Sequence, residues 1–390
     1  MINRVLITSD LFRVYPDLSS FHEERIGRYY NLLKWQISQI IDLPVEKLSL
    51  SDTGLSIRDL YLPFGINLRS EKDWISVYDR IDIPKEIIEI FRKLTTNSLC
   101  IYIEASETIR RLHSILNTPF IDITVHPIRY LDDHLFGLRT NHNSIRNVLL
   151  KYKQNPAEFH LGANLIMSQV GEGNTNPQIS SNSLLVVGQN LIDKALIFNG
   201  KLVSLNTFSE QLVQLTKSYD HIYFKPHPFR KDNKSIFNFL NGIHKTTIIN
   251  NNIYHLLSNK NIKCVAGISS SCLYESRYFG KESIFFKKSM NFDFEEMPIS
   301  SDTYISISDC IFFPEFWAEI FDALNINTKP FQYRTPHVPN RIRAALNDFW
   351  SQTDLDPSVS IVKKYFDKKI VYKRKLSFKK LLSRLFGSYK

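Results

Sequence analysis

Cysteine is scarce in this chain, and the spacing of the few cysteines argues against a metal site or a disulfide framework. The four cysteines, Cys100, Cys264, Cys272 and Cys310, are scattered over 390 residues. Three of them lie in or beside apolar stretches, where an unpaired thiol packs as a small hydrophobic side chain. We therefore expect buried free thiols and a reducing, cytoplasmic environment.

Several patterns that would identify other classes of protein are also missing. The chain has no internal repeat, no Walker A loop, no glycine-rich dinucleotide fingerprint and no cluster of metal-ligating residues. Residues 1–10 predict a strand and a turn rather than a signal peptide. Apolar runs stay well short of a membrane span. These absences argue against P-loop NTPases, dinucleotide-dependent enzymes and membrane-spanning proteins.

Positive charge is present in excess and is concentrated at the end of the chain. The net charge is +10, and residues 363–390 hold eleven Lys or Arg and one acid. Apolar residues recur among them at helical spacing: Leu376, Phe378, Leu381, Leu382, Leu385 and Phe386. We predict that residues 370–390 form a basic amphipathic helix on an anionic membrane surface. The alternatives are a solvated tail or a helix packed on the body. Nucleic acid is not expected, because no matching motif accompanies the terminal charge.

Strands alternate with helices along both halves of the chain, as in doubly wound α/β folds. Apolar runs such as residues 184–188 predict buried parallel strands. Residues 171–177, rich in glycine and asparagine, form the clearest linker. We predict two Rossmann-like domains that face a cleft, at residues 1–178 and 179–335, followed by helices and the basic tail at residues 336–390.

Two polar turns in the second half follow predicted strands. In Tyr223-Phe224-Lys225-Pro226-His227-Pro228, the prolines restrict the backbone on both sides of His227. In Gly267-Ile268-Ser269-Ser270-Ser271, the serines open a predicted helix, where hydroxyls and unpaired N–H groups together bind anions. Ligands bind at strand ends of open α/β sheets, so we predict a nucleotide phosphate between the two turns. The alternatives are an ordinary His-Pro turn and a simple N-cap.

Two acidic residues are candidates for catalysis. Glu104 stands at the carboxyl end of the predicted strand 98–103, so it is either a general base or the partner of Arg129 or Arg139. Asp193 follows the strand at residues 184–188 near the domain junction, so it is either a nucleophile or a helix cap.

Three other acidic residues in this part of the chain are better explained by structure. Asp122 lies inside its own predicted strand, and Asp132 and Asp133 open a predicted helix. We expect capping or pairing for all three, because these are the ordinary fates of acids in such positions.

Four stretches in order between about residue 100 and residue 280 resemble one group of glycosyltransferases. The Lys-Pro-His-Pro turn and the serine turn are similar to the paired motifs with which bacterial sialyltransferases and Kdo transferases hold the phosphate of a CMP-sugar. Glu104 with Asp122 and residues 126–133 resembles the amino-terminal half of the retaining β-Kdo transferases of capsule and O-antigen assembly. Residues 188–195 resemble their Gly-Gln-x-x-x-Asp-x-(Ala/Ser) segment.

This resemblance implies a GT-B fold, a CMP-Kdo donor and no metal cofactor. By the same resemblance, Asp193 is the nucleophile that makes the reaction retaining, and Glu104 is the base for the acceptor hydroxyl. The remaining donor-binding residues would be His227, Ser269, Ser270, Ser271, Lys225, Gln189, Arg129 and Glu275. Among these, Arg129 would steer the carboxylate of Kdo. Glu275 would accept ribose hydroxyls, unless it pairs with Arg277 or Lys281.

One departure and two alternatives accompany the resemblance. Lys194 stands where a smaller or acidic neighbour of the aspartate is expected, which would alter donor or acceptor contacts. An inverting CMP-sialic acid transferase would use the same phosphate grip without a nucleophile. A catalytically silent sugar- or nucleotide-binding subunit would need no carboxylate at position 193. We expect a saccharide or glycolipid acceptor and a peripheral location on the inner face of the inner membrane.

Overall fold

A computed structural model describes residues 2–171, 177–190, 193–227, 233–287, 291–293, 300, 302–331 and 338–346. The strands are β1 (Arg4–Ser9), β2 (Val45–Lys47), β3 (Ser98–Ile103), β4 (Phe120–Val125), β5 (Phe136–Thr140), β6 (Ser183–Val187), β7 (Ile197–Phe198), β8 (Lys201–Leu202), β9 (His221–Lys225), β10 (Thr246–Ile248), β11 (Ile262–Gly267), β12 (Glu282–Phe285) and β13 (Ile305–Ile307). The predicted amphipathic tail at residues 370–390 lies outside the described residues.

The helices alternate with these strands. They are α1 (Phe21–Ser38), α2 (Asp73–Tyr78), α3 (Lys85–Thr95), α4 (Glu107–Leu116), α5 (Asn143–Lys151), α6 (Ala157–Gly171), α7 (Ser209–Thr216), α8 (Lys234–Ile243), α9 (Ile253–Ser258), α10 (Ser271–Ser276), α11 (Pro314–Asp322) and α12 (Arg341–Leu346). Among the described residues, no helix is long and apolar enough to cross a bilayer.

The first sheet has six strands in the order β13-β5-β4-β3-β1-β2. β2, β1, β3 and β4 are parallel, whereas β5 runs antiparallel to both β4 and β13. The central strands β1, β3 and β4 are apolar and almost wholly buried, because both faces of the sheet carry side-chain cores. Their carboxyl ends therefore meet at one edge, where Glu104 follows β3.

The second sheet has five parallel strands in the order β10-β9-β6-β11-β12. Numbered within this sheet, the order is 3-2-1-4-5, as in a Rossmann fold. The strand order reverses between β6 and β11, and in such sheets ligands bind in the crevice beyond that point. The two largely parallel sheets confirm the predicted fold class, two Rossmann-like domains of GT-B type.

Packing and strand pairing cross the predicted domain boundary at residue 178, while the boundaries themselves stay a prediction. α6 belongs to the predicted first domain, yet Phe159 and Ile166 join the apolar core of the second sheet. β13 and α11 belong to the predicted second domain, yet Ile305 pairs with Leu138 in the first sheet and Trp317 is buried in its core. The core of each sheet therefore includes apolar side chains from a segment that was assigned to the other domain. Sequence order alone did not reveal this exchange.

Candidate active site

Two glycines allow three strand ends of the second sheet to approach one another. The N–H group of Gly188, just after β6, donates to the carbonyl oxygen of Lys225 at 2.9 Å. A Cβ atom at Gly188 would lie 3.1 Å from the backbone nitrogen of His227. A Cβ atom at Gly267 would lie 2.8 Å from Cγ2 of Val187. Larger residues would force the turns after β6, β9 and β11 apart.

Gln189 and Ser269 are bonded to each other across the strand-order reversal. The amide of Gln189 donates to Oγ of Ser269 at 3.1 Å, and its carbonyl oxygen accepts from the Ser269 N–H at 2.8 Å. The Ser269 hydroxyl donates to the carbonyl oxygen of Ala195 at 2.9 Å. Both side chains are buried. In this structure they join the loops after β6 and β11, and their predicted role in donor binding stays a prediction.

Asp193 and His227 lie near each other at the same edge. Asp193 begins the 3₁₀ helix Lys194–Leu196, and its Oδ1 accepts from the N–H of Ala195 at 2.9 Å, so the helix-cap alternative is observed. Burial lowers the pKa of His227, and the carboxylate of Asp193 opposes that shift. The imidazole is therefore neutral near pH 7 and can donate one hydrogen bond. A cap uses one carboxylate oxygen, so capping and catalysis are compatible.

Glu104 is paired, but not with the predicted arginines. Its Oε1 lies 2.9 Å from Nζ of Lys194, and its Oε2 lies 3.8 Å from Arg13. Arg129 and Arg139 have other partners. Burial raises the pKa of Glu104, but the charges of Lys194 and Arg13 outweigh it and lower the pKa to about 2. The ion pair with Lys194 makes Glu104 a weak base at neutral pH.

Lys194 connects the two halves of the site. Its Nζ reaches Glu104 and also donates to the hydroxyl of Thr124 at 3.3 Å, and both of these residues belong to the first half. Lys194 itself follows Asp193 in the second half. Glu104 has a left-handed backbone, with φ at 60°, a conformation that non-glycine residues adopt mainly at constrained sites. Lys194, the residue that departs from the expected motif, therefore links the predicted base Glu104 to the segment that holds the predicted nucleophile Asp193.

Glu275 points into the protein interior. The side chain is buried at 2 % exposure, so it does not pair in solvent with Arg277 or Lys281, and its predicted contact with the ribose stays a prediction. Its Oε1 accepts from the Arg129 N–H at 2.8 Å and from the Tyr254 hydroxyl at 3.0 Å. Burial raises its pKa to about 7. Glu275 faces inward from α10 and joins the second sheet to a loop of the first half.

The other predicted donor-binding residues surround Cys272. Burial raises the pKa of the Cys272 thiol to about 11, while a hydrogen bond from Ser270 and the charges of Lys225 and Arg129 act in the opposite direction. Nζ of Lys225 donates to the carbonyl oxygen of Asn251 at 2.7 Å. The serine turn thus has two cations nearby, one from each half of the chain. Ser270 is the N-cap of α10, whose first residue is Ser271.

Asp122 and His126 hold the first half together. Asp122 is wholly buried, and its Oδ2 accepts from Nε of Arg139 at 2.9 Å and from the Tyr304 hydroxyl at 2.7 Å, so the expected pairing is confirmed. His126 is also buried, with Nε2 2.8 Å from the hydroxyl of Ser306. Burial lowers the pKa of His126 to about 3. Both residues are engaged in hydrogen bonds inside the protein.

Asp133 does not open a helix as predicted. The described residues after Asp132 lead directly into β5, because the apolar run from Leu135 continues as a buried strand. Asp133 instead accepts hydrogen bonds from the backbone N–H groups of Ile342 and Arg343, at 2.8 and 3.1 Å. It therefore stabilises the start of α12, far along the chain.

Two cavities lie on either side of the ion pair between Lys194 and Glu104. One, of about 220 Å³, has Glu104, Arg25 and Arg28 among mainly apolar walls at the carboxyl end of β3 and β4. The other, of about 330 Å³, has Lys194 on its wall and is lined by charged residues of both halves. In the part of the chain that is described, no group of three side chains is arranged to hold a metal ion.

Sequence reasoning overlooked Arg13 and Lys287. The guanidinium carbon of Arg13 lies 4.2 Å from the centre of the Phe21 ring, and a guanidinium nitrogen lies 3.8 Å from Oε2 of Glu104. Lys287 follows β12, and its Nζ donates to the carbonyl oxygen of Ala195 at 3.1 Å. Both residues follow the carboxyl end of a strand, the same signal that identified Glu104 and His227. The ends of β1 and β12 therefore carry a signal that points to Arg13 and Lys287.

Comparison with known proteins bears on the second half most directly. Residues 139–286 match the family model described as alpha-2,8-polysialyltransferase (POLYST). Two solved structures are similar at 12% identity: the beta Kdo 2,7 transferase of Thermosulfurimonas dismutans KpsC, with a TM-score of 0.35, over 63% of this chain and 90% of that one, and the beta Kdo 2,4 transferase of the same protein, with a TM-score of 0.28, over 48% and 68%. No curated protein matches the chain. The family match includes both polar turns and confirms the resemblance to sialyltransferases noted there.

Proposed function

We propose that this protein is a glycosyltransferase that moves Kdo from CMP-Kdo to a saccharide or glycolipid acceptor, with retention at the anomeric carbon. One observation carries the proposal. Asp193, His227 and the bonded pair of Gln189 and Ser269 converge at the strand-order reversal of a Rossmann-type sheet. This edge lies within residues 139–286, the segment that matches a glycosyltransferase family.

The first step of the proposed reaction is attack by Asp193. A carboxylate oxygen bonds to the anomeric carbon while the bond from that carbon to the phosphate oxygen breaks, and CMP leaves with the electron pair. The phosphate diester of the donor becomes a monoester and gains negative charge. The neutral imidazole of His227 would donate to that charge, and the N–H groups of the serine turn would assist.

The second step transfers the sugar from Asp193 to the acceptor. The acceptor hydroxyl attacks the anomeric carbon from the opposite face, its proton passes to Glu104, and the carboxylate of Asp193 is released. Two inversions give net retention. Because Lys194 holds the pKa of Glu104 near 2, Glu104 can accept this proton only when the ion pair is loosened in the reacting complex.

A CMP-sialic acid transferase that inverts is the second candidate. The match of residues 139–286 to the polysialyltransferase model favours it. In that reaction Glu104 would activate the acceptor for a single displacement. Asp193 would then serve only as the cap of the 3₁₀ helix, the contact that it makes with Ala195.

Nucleotide binding tests the donor class. CMP should raise the melting temperature of the protein through preferential binding to the native state, and UDP and GDP should do so much less. Incubation with CMP-Kdo and with CMP-sialic acid, followed by CMP release and by NMR of the product, separates the two candidates. Equal stabilisation by all three nucleotides would overturn the assignment to a CMP-sugar enzyme.

His227→Ala tests the phosphate contact. The side chain is only partly buried in a turn, so its removal should leave the fold intact. We expect a loss of roughly 2–4 kcal/mol in transition-state stabilisation, measured as kcat/KM for the donor, as when one oxyanion donor is removed. A folded His227→Ala variant with wild-type turnover would reduce the His-Pro turn to a structural feature.

A further inference from the structure

The charged cavity lies where the two halves of the protein meet. Its volume is about 330 Å³. Among the residues that line it, the first half supplies Asp79, Glu107, Arg111 and Arg139, and the second half supplies Lys194 and Lys287. The volume is at the lower end of the range for small-molecule sites and is sufficient for one sugar ring. Because both halves contribute walls, a bound molecule would contact both.

The ion pairs of this cavity account for most of its charges. Arg139 lies 3.2 Å from Glu107 and 3.6 Å from Asp302. Lys194 lies 2.9 Å from Glu104. Two of the four cations on the cavity wall, Arg139 and Lys194, are therefore paired with acids. The other two are Lys287 and Arg111.

Lys287 and Arg111 are held by neutral oxygen atoms. Nζ of Lys287 donates to the carbonyl oxygen of Ala195, and one guanidinium nitrogen of Arg111 donates to the carbonyl oxygens of Asp79 and Arg80 at 2.6 and 2.8 Å. Within the described ranges, neither cation forms an ion pair of 4 Å or less. A half-buried ammonium group whose hydrogen bond goes to a carbonyl oxygen can form a stronger, charge-assisted bond to an incoming carboxylate.

The position of Lys287 ties the cavity to the proposed reaction centre. Its backbone N–H donates to the carbonyl oxygen of Ile268 at 3.0 Å, next to the serine turn. Its ammonium group shares the Ala195 carbonyl oxygen with the Ser269 hydroxyl. Burial lowers the pKa of Lys287, and Asp79, Asp193 and Glu107 oppose that shift, so Asp193 lies within electrostatic reach. Lys287 therefore lines the cavity and is bonded to the same carbonyl oxygen as the serine turn.

We propose that Lys287 binds the carboxylate of an acidic sugar in this cavity and so selects sugars that carry one. The inference rests on the proposed function and assigns its sugar selectivity to a residue that the motifs did not include. It assigns the carboxylate contact to Lys287, whereas the expected role of Arg129 in steering that carboxylate stays a separate prediction. A neutral hexose would offer the ammonium group of Lys287 no charge-assisted hydrogen bond.

Lys281 provides a matched control for Lys287. Both lysines are partly buried, and Nζ of Lys281 donates to a backbone carbonyl oxygen, that of Asn259, at 2.8 Å. Burial lowers the pKa of both. Lys281 precedes β12 and Lys287 follows it, so the two lie at opposite ends of one strand. Lys287→Met and Lys281→Met remove the same charge with the same loss of a carbonyl contact.

The experiment measures sugar binding apart from nucleotide binding. Ligand-observed NMR would follow free Kdo, free N-acetylneuraminic acid and their methyl esters with the full-length wild type and both variants, and CMP would be titrated separately. We expect the wild type to prefer the acids over the esters, and Lys287→Met to weaken binding of the acids roughly ten- to a hundredfold. Lys281→Met and the CMP affinity of all three proteins should stay unchanged.

Each result decides between the two proposals. If Lys287→Met binds the acids as tightly as the wild type does, or if the esters bind as well as the acids, the role of Lys287 is refuted while CMP binding still supports the proposed function. If CMP fails to bind but the acids bind through Lys287, the cavity is an acid-sugar site and the CMP-sugar function is refuted. Equal weakening by Lys281→Met would show that a general loss of charge or stability is responsible.

Discussion

Two buried acids of the first sheet and a partly exposed acid at the edge of the second sheet have opposite surroundings. In the first sheet, Asp10 and Asp122 are buried; Asp10 accepts from the indole N–H of Trp74 at 2.8 Å, and Asp122 binds Arg139 and Tyr304. In the second sheet, Asp193 is partly exposed, and among the described residues its carboxylate accepts one hydrogen bond, from the N–H group of Ala195. An acid in or beside a strand is therefore a candidate for catalysis only when the protein leaves its oxygens accessible.

The strongest test of this contrast replaces a carboxylate by an amide in each sheet, at Asp122 in the first and at Asp193 in the second. Asp122→Asn should lower the free energy of unfolding by about 3–5 kcal/mol, because it leaves the buried charge of Arg139 poorly compensated. Asp193→Asn should keep the Oδ1 cap and the fold, yet lose transfer activity roughly 10³-fold or more. Chemical denaturation and CMP release from CMP-Kdo measure the two effects.

The contrast fails if the two variants behave alike. An active Asp193→Asn enzyme would exclude a nucleophile at position 193 and leave the inverting candidate. Intact-mass spectrometry of wild type with CMP-Kdo gives an independent reading, since the retaining route forms a sugar ester on the peptide that contains Asp193.

A second comparison is between the pH dependence of stability in the wild type and in a variant of Glu275. The pKa of Glu275 is about 7 in the folded protein and 4.5 ordinarily, so the folded state binds more protons between these values. Stability therefore falls as pH rises from about 4.5 to above 7, by up to about 3 kcal/mol. Glu275→Gln keeps the acceptor oxygen for Arg129 and Tyr254 and should remove this loss.

Urea denaturation of both proteins at pH 5 and pH 8 is the measurement. The stability difference, wild type minus Glu275→Gln, should fall by about 2–3 kcal/mol between these pH values. Asp10, whose pKa burial raises to about 6, contributes equally to both proteins and cancels. Parallel pH curves would show that Glu275 does not titrate in this range.

The smallest expected effect concerns two glycines of the second half. A Cβ atom at Gly188 meets the backbone of the His-Pro turn, whereas one at Gly242 in α8 meets no atom within 4 Å. Gly188→Ala should cost about 1–2 kcal/mol and weaken CMP binding. Gly242→Ala should be neutral or slightly stabilising. Melting temperatures with and without CMP would check both, and equal behaviour would contradict the close approach at Gly188.

Sequence periodicity was sufficient for the fold because apolar runs and helical spacing are local signals. It located the central strands of both sheets and the turns that hold His227 and Ser269. It failed where the determining contact lies far along the chain. The return of β13 to the first sheet depends on pairing with β5, which no local pattern around Ile305 encodes.

Partners of charged side chains were hard to predict for the same reason. Pairing of Glu104 with Arg129 or Arg139 was one alternative, yet Lys194 of the other half holds it. Pairing of Glu275 with Arg277 or Lys281 was likewise an alternative, but the side chain faces inward toward Tyr254. Strand-end position identifies which residues reach an edge, whereas the three-dimensional arrangement decides which charges are already neutralised.

The late return of β13 has a consequence for synthesis on the ribosome. β5 would be an edge strand until Ile305–Ile307 pairs with it, and an unpaired edge can template association with other chains. Because domains fold in order as they emerge, the whole second sheet is made before that edge is covered. The nascent protein therefore passes through a stage with an open sheet edge and without Trp317 in its core. We expect this interval, more than the finished fold, to make the protein dependent on chaperones.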